Sequence, residues 1–171
     1  MAAGYADVPG SHMFPGQISW TPTFDSVNGT IVFDGSILPD IGVLDRPVKL
    51  TVERDKVVEI TGGHQATVFG NWLQKWNDPQ MFKMAHTCYG FNPGAMLTGQ
   101  LGEDERVWGC TQWGMGSISK LDAPPDGVPA ASHVDGICLN TSVFLDGRQI
   151  TDSGRVIDRD LQPLADRLLT G

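Results

Sequence analysis

No run of 18 apolar residues occurs in the sequence, so no segment predicts a membrane-crossing helix. Basic residues are few. Twelve Lys and Arg stand against 20 Asp and Glu, and a formal net charge of −8 argues against nucleic acid or an anionic membrane as the partner. Cysteine is scarce too, and Cys88, Cys110 and Cys138 cannot all pair within the chain. Their spacings match no Cys-x2-Cys zinc framework, which leaves buried free thiols as the expectation. No basic stretch followed by an apolar one opens the chain, so a signal peptide is not expected. Together these features suit a reducing, cytoplasmic compartment. The Asn-x-Ser/Thr matches at Asn28 and Asn140 then carry no glycosylation meaning. Gly10-Ser11-His12-Met13 looks like a cloning scar, but its surroundings read as natural sequence and we treat it as native.

Several catalytic signatures are missing. There is no Gly-x-Ser-x-Gly elbow for a Ser132 hydrolase triad and no His-Glu-x-x-His metalloprotease motif. Gly114-Met115-Gly116 is not a dinucleotide fingerprint, because Ser119 stands at the third glycine position. No internal repeat or low-complexity tract appears.

What is present is a 171-residue chain with 40% apolar positions, 21 glycines and 11 prolines. That length and apolar content suit one globular domain, and the loop-rich usage favours short strands over a helix bundle. Residues 1–28 show no sustained period. Thr30–Phe33 reads as a strand, and Val48–Val52 with Val57–Ile60 as a hairpin across Glu53-Arg54-Asp55-Lys56. Ala66, Phe69, Leu73 and Trp76 recur at helical steps between His64 and Asn77, and Asn77-Asp78-Pro79 stops that helix.

Short strands then return at Lys83–Phe91 and Arg106–Trp113, the second followed by Gly114-Met115-Gly116. The proline-rich stretch Lys120–Ala131 predicts a surface loop. Val134–Leu145 and Arg148–Ile150 flank an Asp146-Gly147 hairpin turn. Asp158–Leu169 predicts a terminal helix with Leu161, Leu164, Ala165, Leu168 and Leu169 facing inward. The expected class is α+β: one domain over residues 1–171, mainly antiparallel strands, with a mid-chain and a C-terminal helix.

The informative constellation is Ser132-His133-Val134-Asp135-Gly136. Residues two apart on a strand share a face, so His133 and Asp135 can grip one ion together. His86, on another predicted strand, completes a two-histidine, one-carboxylate set that suits non-haem Fe(II). His-x-Asp alone also describes a strand-end histidine beside an exposed turn aspartate.

Two longer stretches carry more. Met84-Ala85-His86-Thr87-Cys88-Tyr89-Gly90-Phe91-Asn92-Pro93-Gly94-Ala95 precedes Gly102-Glu103-Asp104-Glu105-Arg106-Val107-Trp108-Gly109, and then come Ser132–Asp135 and Phe144-Leu145-Asp146-Gly147. In this order they resemble the C-terminal half of metallo-aminopeptidases of the aminopeptidase T type. They resemble still more their relatives, the 2,5-dihydroxypyridine 5,6-dioxygenases, over about Val8 to Asp158. The peptidase branch implies a two-metal centre, yet Gln17, His86 and Gln112 stand where it has glutamate, glutamate and histidine. The dioxygenase branch implies Fe(II) held by His86, His133 and Asp135, and ring cleavage of a hydroxylated N-heterocycle with O2, to N-formylmaleamate in the case of 2,5-dihydroxypyridine. His12 becomes a candidate base for the substrate hydroxyl and Ser117 a candidate hydrogen-bonding partner of substrate or oxygen. Trp108, Trp113, Tyr89 and Phe91 could wall the ring or simply pack the core. The resemblance also implies that the family's N-terminal domain is absent. Either a homo-oligomer or a separately encoded partner would then complete the cleft. A non-catalytic binding or assembly subunit, and a weaker metallo-aminopeptidase-like hydrolase, are the competing expectations.

Overall fold

A computed structural model describes residues 2–3 and 15–170. His12 and the Gly10–Met13 string therefore lie outside the described residues. The fold is α+β, and all of its strand pairs are antiparallel. The strands in chain order are β1 (Ala2–Ala3), β2 (Gln17–Trp20), β3 (Gly29–Phe33), β4 (Ser36–Leu38), β5 (Gly42–Val43), β6 (Val48–Glu53) and β7 (Lys56–Gly62). After helix α1 (His64–Lys75) and a 3-10 turn at Pro79–Phe82 come β8 (Met84–Gly90), a short α2 (Leu101–Asp104), β9 (Thr111–Ile118) and β10 (Val128–Cys138). β11 (Val143–Leu145), β12 (Arg148–Asp152), β13 (Arg155–Val156) and α3 (Gln162–Thr170) follow. A seven-stranded sheet runs β1-β2-β8-β9-β10-β4-β5, beside three-stranded sheets β3-β6-β7 and β11-β12-β13.

The β6–β7 hairpin forms where alternation predicts it. Val48, Leu50 and Val52 are buried while Lys49 and Glu53 point to solvent, and Arg54 and Asp55 both take positive φ at the turn. That apolar face meets Ala66, Phe69, Trp72 and Leu73 of α1. Asn77 (φ 49°) ends the helix, and the Asp78 carboxylate accepts the Gln80 N–H to start the 3-10 turn. Met81, Met84, Met115 and Val134 join this core to the large sheet.

Several expectations are corrected. Residues 1–28 are not strandless: β2 pairs with β8, because the Gln17–Trp20 stretch lies against that strand's free edge. The run expected at Arg106–Trp113 begins five residues later, since Arg106–Cys110 is taken up by turn hydrogen bonds such as Cys110 N–H to the Val107 carbonyl. Gly114-Met115-Gly116 lies inside β9 rather than after a strand. The loop expected to reach Ala131 ends at Gly127, and Pro129 is accommodated in β10 where its register with β9 is broken between Val128 and His133. Val134–Leu145 divides into β10 and β11. The last helix starts at Gln162, capped by Asp158, which accepts the Asp160 and Leu161 N–H groups. Of the five residues expected to face inward only Ala165 is buried, and Leu161, just before the helix, and Leu164, Leu168 and Leu169 within it stay about half exposed. They do not face a core as expected: Leu161, Leu164 and Leu168, together with Ile18, Phe91, Trp108 and Val156, rim an apolar groove of about 520 Å3.

Among the described residues, no helix is long and apolar enough to cross a membrane. Cys88, Cys110 and Cys138 are all free and buried. Burial pushes the thiols of Cys110 and Cys138 up to about 12, so neither is a poised nucleophile at neutral pH.

Candidate metal centre

Three adjacent strands build the site: His86 on β8, Gly114 on β9, and His133 and Asp135 on β10. The register sets Asp135 opposite Gly114, and His133 opposite Gly116. His86 and Asp135 are thus two strands apart, with β9 between them. They meet because Gly114 has no side chain. A Cβ there would come within 2.8 Å of His86 Nε2 and 3.0 Å of Asp135 Oδ1.

Asp135 Oδ1 lies 3.3 Å from His86 Nε2 and 3.1 Å from His133 Nε2, and the three candidate ligand atoms fall within 4.8 Å of one another. Donors about 2.1 Å from a shared cation are about 3.0 Å apart at right angles and about 3.4 Å apart in a tetrahedron. The two separations from Asp135 are therefore those of donors that can share one ion. His133 Nδ1–H donates to the Ser117 carbonyl at 2.7 Å, which leaves Nε2 with its lone pair toward Asp135. The two imidazoles lie 5.0 Å apart, tilted by 30°.

The carboxylate governs the electrostatics. Burial pushes Asp135 up, but the hydrogen bonds and charges of His133 and His86 outweigh it and hold it well below the usual carboxylate range. Burial pulls His86 down, yet bonds to Asp135 and Cys88 win and raise it to about 10. His133 moves up for the same reason, with Asp135 overcoming burial. The cluster attracts positive charge, which protons or a cation can supply.

His86 and His133 open onto a small cavity of about 190 Å3 shared with Ser117, Ile118, Ser119 and Asp122. Among the described residues, none of the four candidate wall aromatics lines it. Phe91 and Trp108 meet edge-on at 5.9 Å beside α3, Tyr89 stacks on Trp20 at 4.9 Å, and Trp113 packs against the core. Ser117 does line the cavity, although its contact to His133 is made through its carbonyl.

Two contributors escaped notice as such in the sequence. In the sequence Gly114 stands only as a glycine after an expected strand, and the strand register reveals its place between two candidate ligands. Gln112 was noted merely as a departure from a metal ligand. It is fully buried, donates to Asp135 Oδ1, and has its amide nitrogen 3.1 Å from His86 Nε2.

The class is an antiparallel α+β fold in which two histidines and an aspartate, on strands either side of β9, converge where they could hold a metal ion. The comparisons narrow it. Residues 1–158 match the NicX family model, 2,5-dihydroxypyridine 5,6-dioxygenase, and the chain belongs to that family. It is 27% identical over 164 residues to the 2,5-dihydroxypyridine 5,6-dioxygenase of Pseudomonas putida KT2440, covering 90% of this chain and 47% of that one. The solved structure of a 2,5-dihydroxypyridine dioxygenase from P. putida KT2440 superposes with a TM-score of 0.72 at 22% identity, over 83% of this chain and 43% of the other. Wild-type AmpT from Thermus thermophilus shares the fold with a TM-score of 0.65 at 13% identity, over 84% and 40%. The chain spans about half the length of these relatives.

Proposed function

We propose that this chain is the metal-holding part of a mononuclear non-haem Fe(II) dioxygenase that opens the ring of a hydroxylated N-heterocycle, such as 2,5-dihydroxypyridine to N-formylmaleamate. The observation that carries the reading is the convergence of His86, His133 and Asp135 in a chain belonging to this family. Two neutral imidazoles and one carboxylate leave several positions of an ion open, which suits O2 chemistry better than a closed structural site. Fe(II) held there would supply Lewis acidity toward a substrate hydroxylate and an electron route between ring and O2.

The chain's own residues do the rest. The Ser117 carbonyl fixes the His133 tautomer, and Asp135 supplies the charge that balances a cation. The cavity at the two histidines is smaller than the roughly 300 Å3 lower end of drug-sized pockets, which favours a single-ring substrate. Ser117 borders this cavity and is our candidate for hydrogen bonding substrate or O2. His12 is our candidate for taking the substrate hydroxyl proton. The partners in this reading are a small aromatic or heterocyclic substrate and O2, in the cytoplasm, where three unpaired thiols persist. A homo-oligomer or a separate chain closes the cleft.

The absence of all four candidate wall aromatics from the cavity lining favours one second reading, a binding or assembly domain without turnover of its own. The hydrolase reading is weaker, because Gln17 and Gln112 bond each other at 3.1 Å where it needs two more metal ligands.

One experiment separates these, with Fe(II) loaded anaerobically and O2 admitted afterwards. The full chain is loaded with Fe(II), bound iron is counted, and O2 uptake is followed with 2,5-dihydroxypyridine. About one iron per chain with O2 uptake, both lost in His133→Ala, is the expected result. Iron without O2 uptake transfers the case to the assembly reading, and no stoichiometric iron removes the metal proposal.

A further inference from the structure

Behind the cluster, a line of buried and half-buried polar groups runs away from the cavity. Gln112 on β9 donates from Nε2 to Asp135 Oδ1, and its Oε1 accepts from Gln17 Nε2 at 3.1 Å. Gln17, on β2, also hydrogen-bonds Glu105, a mostly buried side chain paired with Arg106. The seven-stranded sheet brings these residues together from three segments distant in sequence.

The direction of the line is set at its Asp135 end. An ionised carboxylate can only accept, so Asp135 at one end requires the NH2 of Gln112, and the Gln112 Oε1 that then faces away requires the NH2 of Gln17. The two amides can then meet in one way, Gln17 donating to the Gln112 carbonyl. An isolated glutamine could flip its amide at little cost. Here a flip would set the Gln112 carbonyl against Asp135 and a second NH2 against Gln17, losing one buried and one part-buried hydrogen bond at once.

We infer that Gln112, held in one orientation by Gln17 and Glu105, is a positioning residue that aims Asp135 and His86 at the cation. The inference rests on the metal reading above. A carboxylate oxygen has two lone-pair directions, and the Gln112 N–H takes one of them, leaving the other for an ion. The same NH2 lies 3.1 Å from His86 Nε2, so a single amide contacts two of the three ligands. Gln112 touches neither the cavity nor, in this account, the substrate.

The test uses Co(II) as a probe, because its visible spectrum reports coordination independently of turnover. Gln112→Met keeps length and packing while removing both hydrogen-bonding ends. Supporting partners of metal ligands are worth about 10- to 100-fold in affinity. We expect the full-length wild-type chain to bind one Co(II). Gln112→Met should bind it about 10- to 100-fold more weakly with an altered visible band, and Gln17→Met about three- to tenfold more weakly in the same direction. The metal-free melting temperatures should stay within a few degrees of wild type. Gln17 is only half-buried, so its variant serves if Gln112→Met fails to fold. Wild-type affinity and an unchanged band in the variants overturn the positioning role while the metal site stands. A wild-type chain that binds no Co(II) or Fe(II) overturns both.

Discussion

In the β3–β6–β7 sheet, space is filled. Val48, Leu50 and Val52 join Phe69 and Leu73 of α1 in one cluster of buried side chains. Along β8–β9–β10, space is left open. Gly114 lets His86 reach across to Asp135, and Gly136 lets the Phe33 ring lie flat on β10 next to the aspartate. The first region obtains its stability from what residues add and the second obtains its geometry from what they omit. The two meet at Phe33, which belongs to the filled sheet but rests on a glycine of the open one. The comparison implies that similar small substitutions have different consequences on the two sides: volume lost from the core lowers stability, whereas volume added at the site removes binding.

The sharpest break should come at the meeting point. A Cβ on Gly136 would lie 2.3–2.4 Å from three Phe33 ring atoms, and neither ring nor strand can retreat from a packed core. Gly136→Ala should therefore lose more than about 4 kcal/mol in urea unfolding, in the range reserved for severe core defects. Phe33→Ala alone should lose about 3–5 kcal/mol through the cavity it leaves. The double variant should be less damaged than the sum by at least about 1 kcal/mol, because the vacated ring accepts the new methyl. Additive losses would mean that the two regions are not coupled through this contact.

Gly114→Ala moves the effect from stability to binding. The added Cβ meets the far end of the His86 imidazole, a side chain that can swing aside. In urea unfolding the metal-free protein should lose only about 1–3 kcal/mol, the cost of leaving the buried Asp135 carboxylate one partner short once the imidazole swings away. Fe(II) or Co(II) affinity should fall more than about 100-fold, equivalent to about 2.8 kcal/mol. Equal affinity in the variant would refute the role of the missing side chain. Conversely, Leu50→Ala should destabilise by about 2–5 kcal/mol and leave metal stoichiometry intact.

The two regions also differ in how far the sequence discloses them. Alternation in Val48–Val52 and the three- and four-residue steps of Ala66, Phe69 and Leu73 carry their own periods, so hairpin and helix are readable along the chain. His133 and Asp135 share a strand face by the same rule. What brings His86 to them is register across β9, a non-local property that no local pattern encodes. Gly114 has no side chain to signal its place, and Gly-x-Gly looks like a turn until its neighbours are known. Gln112 and Gln17 show as departures from a ligand pattern, while their bond to each other exists only in the folded sheet. The family resemblance supplied the ligand set, and the fold supplies the reason that such distant residues can meet.

The smallest effect is expected where neither logic operates. The α3 leucines follow a helical period as regular as that of α1, yet Leu164, Leu168 and Leu169 are about half exposed. Periodicity states that a helix has an apolar face without stating that anything covers it. The short β11-β12-β13 sheet beside it adds little apolar cover, for Phe144 and Leu145 are themselves exposed. Leu168→Ser should thus change urea unfolding by less than about 0.5 kcal/mol, as surface substitutions do, and leave metal affinity unchanged. The same exchange at Leu73, buried at the matching phase of α1, should cost several kcal/mol, since a hydroxyl would enter a packed apolar site. A loss above about 2 kcal/mol at Leu168 would show that α3 is covered in solution, and the contrast between filled and unfilled regions would then extend to the end of the chain.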